Sequence, residues 1–161
     1  MIKKILVILL IALVLIQFFH PKKNAGTVAA NQSIAAVYSV PENVKEILAV
    51  SCNDCHSNNT LYPWYAKIQP VDWWLNNHVT EGKSELNFDV FATYSLRRQY
   101  HKMQEIIEEV RENKMPLDNY TWIHKKAVLT SAEKEALVAW AGAIRTTMQQ
   151  LYPADSLARK K

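Results

Sequence analysis

Ser39-Val40-Pro41-Glu42-Asn43-Val44-Lys45-Glu46-Ile47-Leu48-Ala49-Val50-Ser51-Cys52-Asn53-Asp54-Cys55-His56 is the stretch on which the reading of this chain turns. Ser39-Val40-Pro41-Glu42 has the form of a capping box with proline in the first turn. Val44, Ile47, Leu48, Ser51, Cys52 and Cys55 then recur at i, i+3, i+4, i+7, i+8 and i+11. That spacing predicts one face of a helix, with both cysteines at its C-terminal end. Outward from it, the helical signals continue. Short helices are expected from about Pro63 and from Val71, the second ending near Gly82, and Asn87 is placed to cap a brief helix through Phe91. A longer helix is expected from Ser95 to Asn113, with Leu96, Tyr100, Met103, Ile107 and Val110 as its apolar stripe. Pro116 ends it, because proline disfavours helix at the preceding residue. Thr130-Ser131-Ala132-Glu133 is a second capping box. It opens a final helix whose face is Ala136, Leu137, Trp140, Ala143, Ile144 and Met148. No alternating run suggests a sheet, so the fold class is all-α. No internal repeat is present.

The 161 residues allow one domain with appendages, and the charge shows where its boundaries fall. From Pro41 to Asp155 the chain carries twelve Lys and Arg against all fifteen Asp and Glu, a net of −3. The pI near 9.0 belongs to the tails: Lys3, Lys4, Lys22 and Lys23 at one end, Arg159, Lys160 and Lys161 at the other. A domain without a basic face excludes a nucleic-acid partner. Lys3 and Lys4 precede an apolar run from Ile5 to Phe19, broken only by Gln17 and stopped by His20-Pro21-Lys22-Lys23. This is an export signal. The run is shorter than the roughly 20 residues that span a bilayer but long for a signal peptide. The nearest cleavage pattern, Val28-Ala29-Ala30, lies far beyond it. An uncleaved anchor is favoured, placing the domain on the periplasmic side of a bacterial inner membrane; a cleaved signal would leave it soluble in the periplasm. The division is then a signal anchor or signal peptide over 1–20, a mobile linker over 21–38, in which the apolar Ile34-Ala35-Ala36-Val37-Tyr38 is the part able to pack on the domain, a helical domain over 39–152 and a basic tail over 153–161, with Pro153 ending the ordered part.

Cys52-Asn53-Asp54-Cys55-His56 carries the chemistry. Two thiols three residues apart, followed at once by histidine, are the pattern of c-type haem attachment. Each thiol can add to one haem vinyl group, and the next residue is then held under the porphyrin, within reach of the iron. Three other readings compete. A dithiol redox motif needs a βαβ context that is missing here. A zinc site needs further ligands at suitable spacing, and only His78 is in range. A disulfide closing so small a loop would contribute little. These are the only two cysteines of an exported chain, and one covalent haem c is the expected cofactor. Its iron would take His56 on one side. For the other, Met115 in Lys114-Met115-Pro116 is the first candidate, since a helix break next to proline can present a thioether. A lone methionine is otherwise a core residue. His78 is the rival; His101 and His124 have weaker claims, and an open position is a further alternative. Trp64, Tyr65, Trp73, Trp74, Phe88, Phe91, Trp122 and Trp140 are expected mostly in the core, some lining the haem or donating to its propionates. Glu105, Glu108, Glu109 and Glu112, and Lys125-Lys126, read as solvated faces.

With these residues in view, the chain resembles the bacterial haem-binding domains of cytochrome-c type. The resemblance rests on Cys52 to Asn58, Tyr62-Pro63-Trp64-Tyr65, Pro70-Val71, Trp74, His78, Leu86-Asn87-Phe88, Met115-Pro116 and the segment from Leu129-Thr130 to Trp140. It covers about Pro41 to Ile144. The broader order is similar to a class I cytochrome c, which implies a cytochrome-c-like helical domain with Met115 as distal ligand and Trp140 facing the first helix. The Trp-rich segment from Trp64 to Phe91, with His78, departs from that pattern. Electron transfer with membrane redox complexes as partners is the leading function. A peroxidase-like haem enzyme, or a haem sensor or anchoring subunit, is the alternative. The sequence leaves open whether the protein is an enzyme, though a carrier is favoured over a catalyst.

Overall fold

The computed structural model describes residues 1–158; Arg159, Lys160 and Lys161, part of the expected basic tail, lie outside it. The fold is all-α: among the described residues eight α-helices and four 3-10 turns are joined with no β-strand, only an isolated Ala25–Asn59 bridge. The helices are α1 (Ile2–Ile16), α2 (Glu42–Ser51), α3 (Asn53–His56), α4 (Val71–Glu85), α5 (Leu96–Arg111), α6 (Asp118–Ile123), α7 (Ser131–Leu151) and α8 (Ala154–Leu157).

The core forms where α2, α5 and α7 meet. Met103, Ile107 and Val110 of α5 pack with Leu137, Trp140, Ile144 and Met148 of α7 and with Val44, Ile47 and Leu48 of α2. Phe88 and Phe91 close one side from the 3-10 turn Phe88–Thr93, which Asn87 caps by accepting from the Asp89 amide at 3.0 Å. Ser95 caps α5, and Asn113, at φ 57°, turns the chain after its end. Asparagine tolerates this left-handed conformation better than most residues.

The two capping boxes fare differently. At Thr130 both reciprocal bonds form, Glu133 N–H to Thr130 Oγ1 and Thr130 N–H to Glu133 Oε2. At Ser39 neither forms, because α2 starts later than the sequence suggests. Pro41 is the N-cap, with no side-chain bond, and Ser39 lies two residues outside the helix. The Ser39 carbonyl instead accepts from Trp140 Nε1 at 3.1 Å, so Trp140 does face the start of α2. Nor does one continuous helix carry both cysteines: Cys52 leaves helical geometry (φ −129°) and separates α2 from α3. Helix α4 runs through Gly82 to Glu85 rather than ending there.

Three further expectations are corrected. The segment 21–38 is docked, not free. The Asn24 amide donates to the Tyr62 hydroxyl (2.9 Å), Gly26 N–H to the Asn58 carbonyl (2.8 Å) and the Tyr38 hydroxyl to Gln99 (2.7 Å), and Ile34 is buried. Order continues past Pro153: α8 buries Leu157, and Arg97 donates to the Asp155 carbonyl at 3.0 Å. Of the eight aromatics expected mostly in the core, only Phe88, Phe91 and Trp140 are buried there; Trp64 and Trp122 are 75% and 76% exposed. Helix α1 keeps almost every side chain on the surface, and among the described residues no helix is long and apolar enough to cross a membrane.

Candidate functional site

Helix α3 is one turn long, so its position depends on what surrounds it. The main support is α4. Gly82 passes so close that a Cβ there would lie 3.0 Å from both the Cβ and the carbonyl oxygen of Cys55. On another side the Tyr120 hydroxyl donates to Asp54 Oδ2 at 2.7 Å, and the Leu61 amide donates to Asp54 Oδ1 at 2.9 Å. Beyond the motif, Asn24 Nδ2 donates to the Ser57 carbonyl and the Asn58 amide to Asp89. The segment Cys52 to Asn58 is thus held by Gly82, Tyr120, Leu61, Asn24 and Asp89.

His56 is oriented by α4 as well. Its Nδ1 lies 3.0 Å from the carbonyls of both Gly82 and Leu86. Two acceptors at one nitrogen fix that nitrogen as the donor, leaving Nε2 with its lone pair. This is the arrangement by which proteins hold an imidazole for a metal. Burial lowers the pKa of His56, partly countered by the Leu86 and Gly82 carbonyls, and keeps the ring neutral as ligation requires. Both thiols are free of disulfide. Burial, with each thiol's negative neighbours, pushes Cys52 up to about 12 and Cys55 up to about 11. Thiols held neutral in this way lack the cationic setting of a reactive dithiol. Among the described residues no cluster of three or more His, Cys, Asp or Glu could hold a metal ion on its own, which counts against the zinc reading.

Cys52, Cys55, His56, His78 and Met115 all line one cavity of about 400 Å³, with Val110, Pro116, Leu117 and Leu129 as apolar walls. A second cavity of about 550 Å³ shares Cys52, His56, Glu85, Val110 and Met115 with the first and continues past Leu48, Phe88 and Leu137. His78 lines only the first. Its Nδ1 donates to the Trp74 carbonyl at 2.9 Å, its ring lies 4.4 Å from that of Trp74, and its Nε2 is 3.3 Å from the Asn119 amide. His101 lies on the second cavity but pairs with Glu105 at 2.9 Å. His124 lies outside both, 2.5 Å from the Tyr65 hydroxyl. Residues with no ligand-like pattern complete the site. Lys102 is a buried cation held by Glu85 and Glu105, and Gly82 carried only the signal of a glycine within a helical pattern.

The residues present fit a haem. A neutral histidine has its free nitrogen set by two carbonyls, two thiols flank it, and apolar walls line a cavity that reaches Met115. A helical shell around such a cavity defines a haem-binding class of protein. The model of the family described as haem-binding domain matches residues 11–143, and the chain belongs to that family. The match begins inside α1, so it takes in the docked segment 21–38. No curated protein matches the chain, and no solved structure does.

Proposed function

We propose that the protein is an exported c-type cytochrome with one covalent haem, carrying single electrons at the periplasmic side of a bacterial inner membrane, where α1 anchors it. The observation that carries this reading is the clamp on His56: Nδ1 shared by the Gly82 and Leu86 carbonyls, Nε2 left free in a cavity that also holds Cys52, Cys55 and Met115. When bound, the haem supplies an iron that alternates between Fe(II) and Fe(III). Cys52 and Cys55 would add to the two vinyl groups as thioethers, and His56 would donate a neutral imidazole. Met115, on the connection between α5 and α6, would offer a soft thioether ligand, which raises the potential and leaves no open position for substrate. Leu48, Phe88, Val110, Leu129 and Leu137 keep water from the cavity walls. The mildly acidic domain suits a basic surface on a membrane redox complex.

Haem-stained denaturing electrophoresis and a pyridine haemochrome spectrum, on protein made with a c-type maturation system, test the covalent step. Haem lost from the denatured chain would refute it.

The alternative, a peroxidase-like or sensing haem, draws on His78, whose Nδ1 bond to the Trp74 carbonyl leaves Nε2 directed at Asn119 beside the cavity. Met115→Ala separates the two. Electron transfer requires a low-spin wild type whose near-infrared methionine–iron band vanishes in the variant. A high-spin wild type with peroxidase turnover would favour the alternative.

A further inference from the structure

The chain leaves α1 into a latch. Gln17 and Gln69 pair through both side chain and backbone: Gln69 N–H donates to Gln17 Oε1 at 2.9 Å, and Gln17 Nε2 to the Gln69 carbonyl at 3.2 Å. The Phe19 carbonyl accepts from Gln69 Nε2 (2.6 Å) and from Trp73 Nε1 (2.9 Å). His20 and Lys23 close on Asp72, a fully buried carboxylate at the start of α4, and Lys23 also donates to the Ala66 carbonyl at 2.7 Å. A flexible tether would need none of these bonds. The latch fixes how the domain sits on the end of α1.

Around this junction the surface is apolar. Phe18, Phe19, Leu61, Trp64, Ile68 and Trp73 are all exposed, Leu61 at 81% and Phe18 at 77%. The segments 17–24 and 61–71 contain no Asp or Glu; Lys22 and Lys67 lie exposed among them, and the neighbouring Asp72 is buried and paired. Tryptophans with lysines, ringed around the end of an apolar helix, have the composition of a membrane–water interface. Length points the same way. The fifteen residues of α1 measure about 22 Å, against a hydrocarbon layer of about 30 Å. A short anchor draws whatever is latched to its end toward the bilayer.

We infer that this face is a lipid-binding surface, seated in the headgroup layer of an anionic bilayer, so that the haem domain rides the membrane in one orientation. The inference rests on the anchor reading above. It is tested with the full-length holoprotein in vesicles of phosphatidylethanolamine and phosphatidylglycerol. Single variants Leu61→Cys, Trp64→Cys, Leu9→Cys and Glu135→Cys are exposed to a water-soluble polymer maleimide, and the wild type sets the background. Labelling at Leu61, Trp64 and Leu9 should be slower in vesicles than in dodecyl sulfate by about tenfold or more, as for groups withdrawn from water. The exposed Glu135 site on α7 should label freely in both. Leu61 and Trp64 sites that label as fast as the Glu135 site, with Leu9 protected, would overturn the lipid surface while leaving the anchor intact. A Leu9 site labelled at the Glu135 rate would overturn both. Trp64→Cys disulfide dimers that form on adding an oxidant such as diamide, with undiminished yield after the protein has been diluted in excess lipid, would assign the face to a second copy, and overturn the inference in that way.

Discussion

Gly82→Ala should destabilise the protein although alanine is the better helix former, and the structure supplies its own control. Gly82 lies inside α4, so the substitution gains about 1 kcal/mol of helix propensity. The new methyl, however, would lie 3.0 Å from the Cβ and 3.0 Å from the carbonyl oxygen of Cys55, and 3.4 Å from its carbonyl carbon. Two of these atoms are backbone, in a one-turn helix already held by Asp54 and His56, so relief requires α3 and α4 to separate. Overpacking of this kind costs about 1–3 kcal/mol. Separation also lengthens the bonds from His56 Nδ1 to the Gly82 and Leu86 carbonyls, each 3.0 Å. The net expectation is a loss of about 1–2 kcal/mol. Gly142 lies inside α7 and has nothing within 4 Å of a built Cβ. Gly142→Ala should therefore keep the propensity gain of about 0.5–1 kcal/mol. In thermal unfolding of the two holoproteins the midpoints should differ by roughly 6 °C, with Gly142→Ala the higher. The Soret and charge-transfer bands should shift only in Gly82→Ala. Two variants with equal midpoints, or Gly82→Ala above wild type with an unchanged spectrum, would refute the close approach of α4 to the attachment segment.

Thr130→Ala removes the working capping box of α7 and should cost about 1 kcal/mol, read as a lower urea midpoint at unchanged slope. Trp140→Phe removes the donor to the Ser39 carbonyl; a loss of about 0.5–1.5 kcal/mol is expected by the same titration, and a neutral result would show that this bond does not hold the start of α2. The latch should be acid-labile. Burial pushes the Asp72 carboxyl up, but its bonds and charge pairing with Lys23 and His20 more than offset this and hold it below its ordinary value. A depressed carboxylate stabilises above its unfolded pKa of about 3.9. That contribution is lost as pH falls from there through the lower folded value. Proteolysis between residues 20 and 38 should therefore accelerate below pH of about 4, and Asp72→Asn should abolish the acid step.

What could be read from sequence was what depends on neighbours along the chain. The box at Thr130 closes within four residues, and Asn87 caps its own turn, so each announces itself locally. The box at Ser39 has the right letters, but Pro41 takes the N-cap position and shifts the register, and Ser39 is committed to Trp140, 101 residues away. The cysteines and His56 were legible as a motif. What orients them was not: Tyr120 reaches Asp54 across 66 positions and Asn24 reaches Ser57 across 33. Such pairs leave no periodicity. The segment after α1 looked like a linker because its composition is polar and small. Its order comes from hydrogen bonds to Gln69, Asp72, Trp73 and Tyr62 at its start and from the burial of Ile34, with Tyr38 packed beside it, at its end. The tryptophans were expected inside because their size suits a core, yet four of the five lie at the surface.

The placement of α4 bears on which residue opposes His56. His78 and Gly82 are one turn apart on α4, so their Cα–Cβ directions share a face of the helix. That face meets α3, since Gly82 touches Cys55 there, and the Gly82 carbonyl accepts from His56. His78 therefore stands beside the attachment segment, on the side from which His56 is held. On the proposed reading, a second ligand would have to come from an element other than the one that holds His56. Met115 comes from the connection between α5 and α6, which reaches the site independently of α4, and it borders both cavities that His56 borders. His78 borders one, with Nε2 already beside the Asn119 amide. These relations support the proposal that Met115, rather than His78, would be the second ligand. The distinction has a spectroscopic consequence. His78→Phe should retain the near-infrared methionine–iron band and change mainly the potential, whereas a low-spin wild type without that band, turned high-spin by His78→Phe and left low-spin by Met115→Ala, would reverse the assignment.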